Sequence, residues 1–438
     1  MATKGSLRKI LFFLIVMSLF LLLLTTGTAM AERIYFAGYK GGFYIKSEEE
    51  GGMELRLGGA FQVDYRHYGE EQRADDRFDI RRSRFIFSGQ LTQWFRFGLE
   101  YEFQGSETSN LVDAFGEAVL SGSHSLRFGQ FKEPFSLEWQ TRDKGIYFAE
   151  RSMGYYLTPM RDIGLMQHGS LYQDGLNYAI GIFNGDGDDG STRGSYHDAP
   201  EIAARLVIKP FTATSLGWIK SLQIGGSATY AKIDVANIDL KVKSTGMAGS
   251  TRNLYVLGHD TKFGVLQDVD ERVRGALEMA WAYGPFAIQG EYMRLTYKGL
   301  TPAGEPPRNA EFSSWYGSIA YCLTGEHQVL TGGTVNPIHP QRFFNPSEGT
   351  FGALCLAARA EHFSGDKTWI NEDAYVSVRE ADAFSIAANW ILYPMVRIIA
   401  DYTHTDFSDP LRVRVNPDGK VDYIENENVL TLRFSIDF

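Results

Sequence analysis

The sequence predicts an all-β protein, a transmembrane antiparallel β-barrel of about 16 strands. Three observations carry that prediction. The last ten residues, Val429 to Phe438, alternate Leu430, Leu432, Phe434, Ile436 and Phe438 with Thr431, Arg433, Ser435 and Asp437. In an extended chain one set faces hydrocarbon and the other faces water. The chain opens like an export signal, and beyond it no run of 18 or more uncharged apolar residues occurs, so a membrane helix is excluded. Period-two alternation then repeats along the remaining sequence.

The opening segment sets Lys4, Arg8 and Lys9 before the apolar run Ile10 to Leu24 and ends in Ala29-Met30-Ala31. That pattern predicts a signal peptide over residues 1–31, cut before Glu32. Removing three bases and no acids takes the formal net charge from −10 to −13 and leaves 407 of the 438 residues. So acidic a chain excludes nucleic acid as a partner. Residues 32–52 read as a flexible leader, and residues 53–438 as the barrel.

Leu55, Leu57, Gly59, Phe61, Val63 and Tyr65 alternate with Glu54, Arg56, Gly58, Ala60, Gln62 and Asp64. Phe95 to Gln104, Ile202 to Lys209, Leu222 to Lys232, Val273 to Tyr283, Phe312 to Leu323, Gly352 to His362, Asp382 to Leu392 and Val396 to His404 behave alike. A soluble sandwich also alternates. Here, however, both charge signs share the polar side with small residues while aromatics fill the other, which suits a watery lumen and a lipid-facing exterior. At about 25 residues per strand and connection, the length gives about 16 strands, a count that leaves an aqueous channel.

Tyr283-Gly-Pro-Phe286 and Leu91-Thr-Gln-Trp94 read as tight turns on one rim. Gly185 to Pro200, Ile238 to Val269 and Thr324 to Thr350 read as long loops on the other. Cys322 and Cys355 are too widely spaced for a zinc or redox motif; a single bridge is possible, and buried free thiols are the favoured reading. Tyr44, Trp94, Trp139, Tyr155, Tyr156, Trp315, Tyr316, Trp390 and Tyr393 read as an interfacial girdle.

Gly185-Asp-Gly-Asp-Asp-Gly190 matches a dinucleotide fingerprint in spelling only, because its aspartates repel a pyrophosphate. As a calcium loop it has His197 where the bidentate Glu belongs. Ser364-Gly-Asp-Lys367 lacks the companion motifs of an S-x-x-K enzyme. The dispersed histidines suggest no metal site, and no cofactor is implied.

Three stretches resemble the phosphate-selective porin O/P family of bacterial outer membranes. They are Asp79-Ile-Arg-Arg-Ser-Arg-Phe-Ile-Phe-Ser-Gly89, Ser125-Leu-Arg-Phe-Gly-Gln-Phe-Lys-Glu-Pro-Phe-Ser-Leu-Glu138 running on to Phe148-Ala-Glu-Arg-Ser152, and Ile319-Ala-Tyr-Cys-Leu-Thr-Gly-Glu326. Ala203-Ala-Arg-Leu206, Leu356-Ala-Ala-Arg359 and the terminal Phe438 extend the likeness along the chain. The resemblance implies an outer-membrane homotrimer of 16-stranded barrels, contacting membrane lipids and passing small hydrophilic solutes or inorganic anions such as phosphate without covalent chemistry. It also implies that one long loop folds into each lumen, here within Lys132 to Arg161.

Lys132, Arg142, Lys144, Arg151 and Arg161 lie in that segment, with Arg127 just before it. Arg82 and Arg84 match the family's lumen-facing arginines, and Lys144 falls where its central phosphate-site lysine would. Lysines and arginines ringing an aqueous pore lower the barrier for anions, and guanidinium matches phosphate oxygens in pairs. The competing reading pairs each base with Glu54, Glu100, Glu102, Glu117, Glu133, Asp143 or Glu150 inside the barrel. A lipase-like barrel enzyme and a structural or adhesive barrel plugged by its own loops are the alternative functions.

Overall fold

The structure, a computed structural model, describes residues 35–39, 42–49, 51–69, 74–104, 110–185, 200–248, 252–370, 377–415 and 421–438. The predicted signal peptide and the Asp-rich stretch after Gly185 lie outside the described residues.

Period-two patterning becomes sixteen wall strands. They are β1 (Glu54–Tyr68), β2 (Arg77–Thr92), β3 (Phe95–Glu102), β4 (Leu111–Ser121), β5 (His124–Lys132), β6 (Arg161–Leu171), β7 (Leu176–Phe183) and β8 (Glu201–Ile208). Then come β9 (Gln223–Lys232), β10 (Glu271–Tyr283), β11 (Phe286–Pro302), β12 (Arg308–Cys322), β13 (Ala353–Ser364), β14 (Glu380–Tyr393), β15 (Val396–Val415) and β16 (Val421–Asp437). Each pairs antiparallel with the next, and β16 returns to β1 through Arg433↔Asp64 and Ser435↔Gln62, closing the barrel. Closure removes the unpaired edges that hydrocarbon does not tolerate.

The alternation orients as the sequence predicts. On β16, Leu432, Phe434 and the following Phe438 are exposed, while Thr431, Arg433 and Ser435 are buried inside. A bulge breaks the phase on β2 where it pairs with β1: Gln62 faces Arg82 and Val63 faces Ile80, so Arg81 is the extra residue. Arg81 and Arg82 therefore both point inward while Phe78 and Ile80 stay outside.

Four expectations need correction. The leader is not flexible where described: Tyr35–Tyr39 and Phe43–Ser47 form a hairpin whose second arm pairs with β1 from Glu54 to Leu57. It continues the wall below Phe438, which exchanges backbone hydrogen bonds with Gly59. The connection 323–352 leaves β12, an even-numbered strand, so it belongs to the rim of short turns, the periplasmic rim in bacterial barrels. Cys322 and Cys355 are directly opposed at the ends of β12 and β13 and form a disulfide. Finally, Trp139, Tyr155 and Tyr156 ride on the inward loop, and Tyr316 takes the inward phase of β12, donating to Glu291 at 2.8 Å. Only the outward members, such as Trp94, Trp315 and Tyr393, are exposed enough to serve a girdle.

Among the described residues, three connections enter the barrel. Residues 133–160 fold in from the long-loop rim. Residues 233–248 and 252–270 follow from the same rim, where Leu240, Val242, Leu254 and Tyr255 pack against the lumenal Leu295, Phe312 and Phe363. This second connection crosses to the far wall: the Gly246 carbonyl accepts from Arg66 at 3.3 Å, and Met247 packs on Tyr68 and Val429. Residues 323–352 rise from the turn rim.

Candidate solute passage

The three connections fill the lumen unevenly. Inward residues of the β8–β16 wall, among them Thr229, Glu291, Ser314, Arg359, Ser385 and Asp401, are buried beneath them. On the β2–β7 wall the inward Arg84, Ser88, Glu100, Asp113, Arg127 and His168 stay partly exposed. Water therefore reaches an eccentric half of the lumen, bounded by β2–β7 and by the loop 133–160.

That loop is latched by two kinds of contact. Strand carboxylates accept from its backbone: Glu291 takes the N–H groups of Leu137 and Glu138 at 2.8 and 2.7 Å, Asp401 that of Ala149 at 2.8 Å, and Glu361 that of Met153 at 2.6 Å. Strand arginines hold its carboxylates in return. Glu150 lies 2.7 Å from Arg66, 2.7 Å from Arg81 and 2.8 Å from Arg433, whose fork also grips Asp64. Glu138 meets Arg359 at 3.3 Å. Buried charges persist only when paired and hydrogen-bonded, and here each latch supplies the other's counter-charge. A short helix, Leu137–Gln140, starts the inward turn, with the Ser136 side chain accepting from the Trp139 N–H.

The residues singled out from sequence divide into paired and unpaired cations. Arg82 donates to Gln62 at 2.7 Å and sits 3.1 Å from Asp143. Arg84 holds Glu100 at 2.7 Å and Glu102 at 2.8 Å, with Asp143 at 3.6 Å. Arg151 reaches the other Asp143 oxygen at 2.8 Å and the Thr141 carbonyl at 2.8 Å. Burial alone would raise the Asp143 carboxyl, but Arg82, Arg151 and Arg84 hold it well below the usual carboxylate range. Arg127 forks onto Glu117, which His168 also contacts at 3.0 Å. Lys132 donates to the Trp139 carbonyl at 2.6 Å and lies over the Trp139 ring, where Arg161, paired with Asp113 at 2.9 Å, also sits. The competing reading thus holds for Arg82, Arg84, Arg127 and Arg151, while Arg161 is paired with Asp113, a carboxylate outside that reading.

Arg142 and Lys144 differ. Among the described residues neither has a carboxylate within ion-pair distance, and Arg142 is exposed. Lys144 lines a small recess of about 20 Å³ with Tyr147, Asn336, Asn389, Arg397 and Asp437. Burial, then the neighbouring Arg142 guanidinium, pushes its ammonium below the ordinary lysine value.

Sequence reasoning missed Arg81, because its phase is outward until the bulge turns it in. Arg66 and Arg397 were in plain phase with Asp64 and Asp401 but carried no motif. Arg397 donates to the carbonyls of Asp143 and Ile146 at 2.8 and 2.9 Å, pinning the segment that displays Arg142 and Lys144.

A closed sixteen-strand barrel with an apolar exterior and a charged lumen narrowed by an inward loop defines the class of outer-membrane porins. Residues 55–438 match the family described as phosphate-selective porin O and P, and the chain belongs to that family. Porin O of Pseudomonas aeruginosa strain PAO1 is 23% identical over 391 residues, which are 83% of this chain and 85% of the relative. The anion-selective porin from Comamonas acidovorans shares the fold with a TM-score of 0.53 at 10% identity, over 88% of this chain and 100% of that one. OmpT of Vibrio cholerae, folded in vitro and solved in trimer form, superposes with a TM-score of 0.50 at 11% identity, over 88% and 100%. The protein is an outer-membrane channel for passive diffusion of small hydrophilic solutes.

Proposed function

We propose that the channel prefers small anions, phosphate among them, and that it works as a homotrimer without covalent chemistry. One observation carries the preference. The loop presents Arg142 and Lys144 without a partner carboxylate, while the intervening Asp143 is held by Arg82, Arg84 and Arg151. A permeating ion meets fixed positive charge there although the whole chain is acidic, and local charge sets the sign of a pore's selectivity. Arg82, Arg84, Arg127 and Arg151, tempered by their carboxylates, and Lys132, held by the Trp139 carbonyl, extend the cationic lining in this reading. The trimer is supported by the trimer form of the Vibrio cholerae protein.

The test is reversal potential in a potassium chloride gradient across planar bilayers, read on verified folded barrel. A potential of the sign that chloride flow gives supports the proposal, and one set by potassium refutes it. A second reading, a barrel plugged by its own loops, draws on the buried β8–β16 wall; it predicts no conductance steps. An enzyme would hydrolyse ester substrates, and a porin leaves them untouched.

A further inference from the structure

The connection 323–352 ends in a hairpin inside the barrel. Leu330–Thr331 pairs with Thr334–Val335 across Gly332-Gly333, both with positive φ (59° and 69°), the two-residue turn that needs left-handed backbone at both positions. The tip is held to the wall on one side: Gly333 O accepts from Arg205 at 2.6 Å, Leu330 O from Lys209 at 2.8 Å, and Gly332 N–H donates to Asp174 at 2.9 Å. On the other side it bears on the constricting loop. Val335 N–H donates to Thr141 Oγ1 at 3.3 Å, Tyr147 OH to Gln328 at 2.8 Å, and Leu330 and Val335 share an apolar cluster with Leu137, Ile146 and Phe148.

The base of this connection is the Cys322–Cys355 bridge. Both residues are buried under Ile338 and Ile391, and Gln328 Nε2 donates to Cys322 Sγ at 3.1 Å. The bridge joins the last register pair of β12 and β13, where strand ends otherwise fray.

We infer that the bridge locks residues 323–352 as a strut beneath the constricting loop, so that the disulfide fixes the aperture. Because the docked loop covers both sulfurs, the bridge closes before or as the loop docks. Closure converts two thiols to one disulfide, with two electrons and two protons passing to a disulfide oxidant that leaves as a dithiol. With Cys322 and Cys355 buried, the bond is expected to resist reductant in the finished barrel. The inference rests on the channel itself and not on its ion preference, since aperture noise and reversal potential are separate readouts.

The experiment records single channels of the full-length protein, of Cys322→Ser with Cys355→Ser, and of Val335→Asn, which keeps the bridge and the wall but removes the apolar seat. Both variants are expected to show a several-fold rise in open-channel current noise and protease cleavage within 323–352, with unchanged reversal potential. Folded wild-type channels are expected to ignore dithiothreitol. Quiet channels of wild-type conductance from Val335→Asn, or from a folded cysteine-free barrel, overturn the inference. If the double-serine chain does not fold, Cys322→Ala with Cys355→Ala, which leaves apolar side chains in the same buried site, replaces it under the same outcomes.

Discussion

Replacing Asp143 by Asn removes one negative charge from the inward loop where it faces β2, while leaving its neighbours anchored. Arg82 keeps Gln62, Arg84 keeps Glu100 and Glu102, and Arg151 keeps the carbonyls of Glu138 and Thr141. Three guanidiniums are thereby unmasked toward the water. For an ion passing at about 5 Å in a high-dielectric lumen, one charge is worth about 0.8 kcal/mol, roughly a factor of four in local occupancy. The effect is opposite for the counter-ion, so the anion-to-cation permeability ratio should rise by up to about sixteenfold at low salt and less once the Debye length nears about 10 Å at 0.1 M. The assay is reversal potential in a potassium chloride gradient at two ionic strengths. An unchanged potential from a folded Asp143→Asn barrel would mean that ions do not pass this loop face, and the reasoning fails.

Three other outcomes follow from the same contacts. Glu150→Ala takes the paired carboxylate from Arg81 and one of two from Arg66 and Arg433, which keep Asp64, and should cost about 3 kcal/mol of loop docking, read as a lowered urea midpoint in tryptophan fluorescence. A loss below about 1 kcal/mol, the size of an exposed pair, would show that the latch is not buried in solution. Ile386→Arg, on the exterior of β14 beside Phe384, should destabilise the barrel by about 2–4 kcal/mol if that surface meets lipid. Wild-type unfolding energetics would contradict the orientation. Arg142→Glu with Lys144→Glu should move the reversal potential toward cation preference, and an unmoved potential would place the constriction elsewhere.

Strand number, closure and orientation were legible because a period of two admits only one inward set, and Gln62, Asp64 and Arg66 or Thr431, Arg433 and Ser435 read without ambiguity. The inward loop was legible through family likeness alone. Its partners were not, since Glu150 meets Arg433 across 283 residues and nothing local marks such a pair. Arg81 was hidden by a bulge, which inserts a residue without a composition signal. The side of the barrel from which 323–352 enters was recoverable by counting strands: even strands end on the turn rim. Its length and glycines suggested an external loop instead. The disulfide was ambiguous because spacing in sequence does not report cross-strand opposition.

The account's central claim is that water and solute share the β2–β7 side of the lumen. Cysteine placed at Ser88, inward and partly exposed on β2, or at Ser385, inward and buried on β14, separates that claim from a central pore. With a charged, membrane-impermeant thiol reagent applied to open channels, the Ser88→Cys variant should lose conductance stepwise and the Ser385→Cys variant should not respond. Block at Ser385 with none at Ser88 would contradict the account.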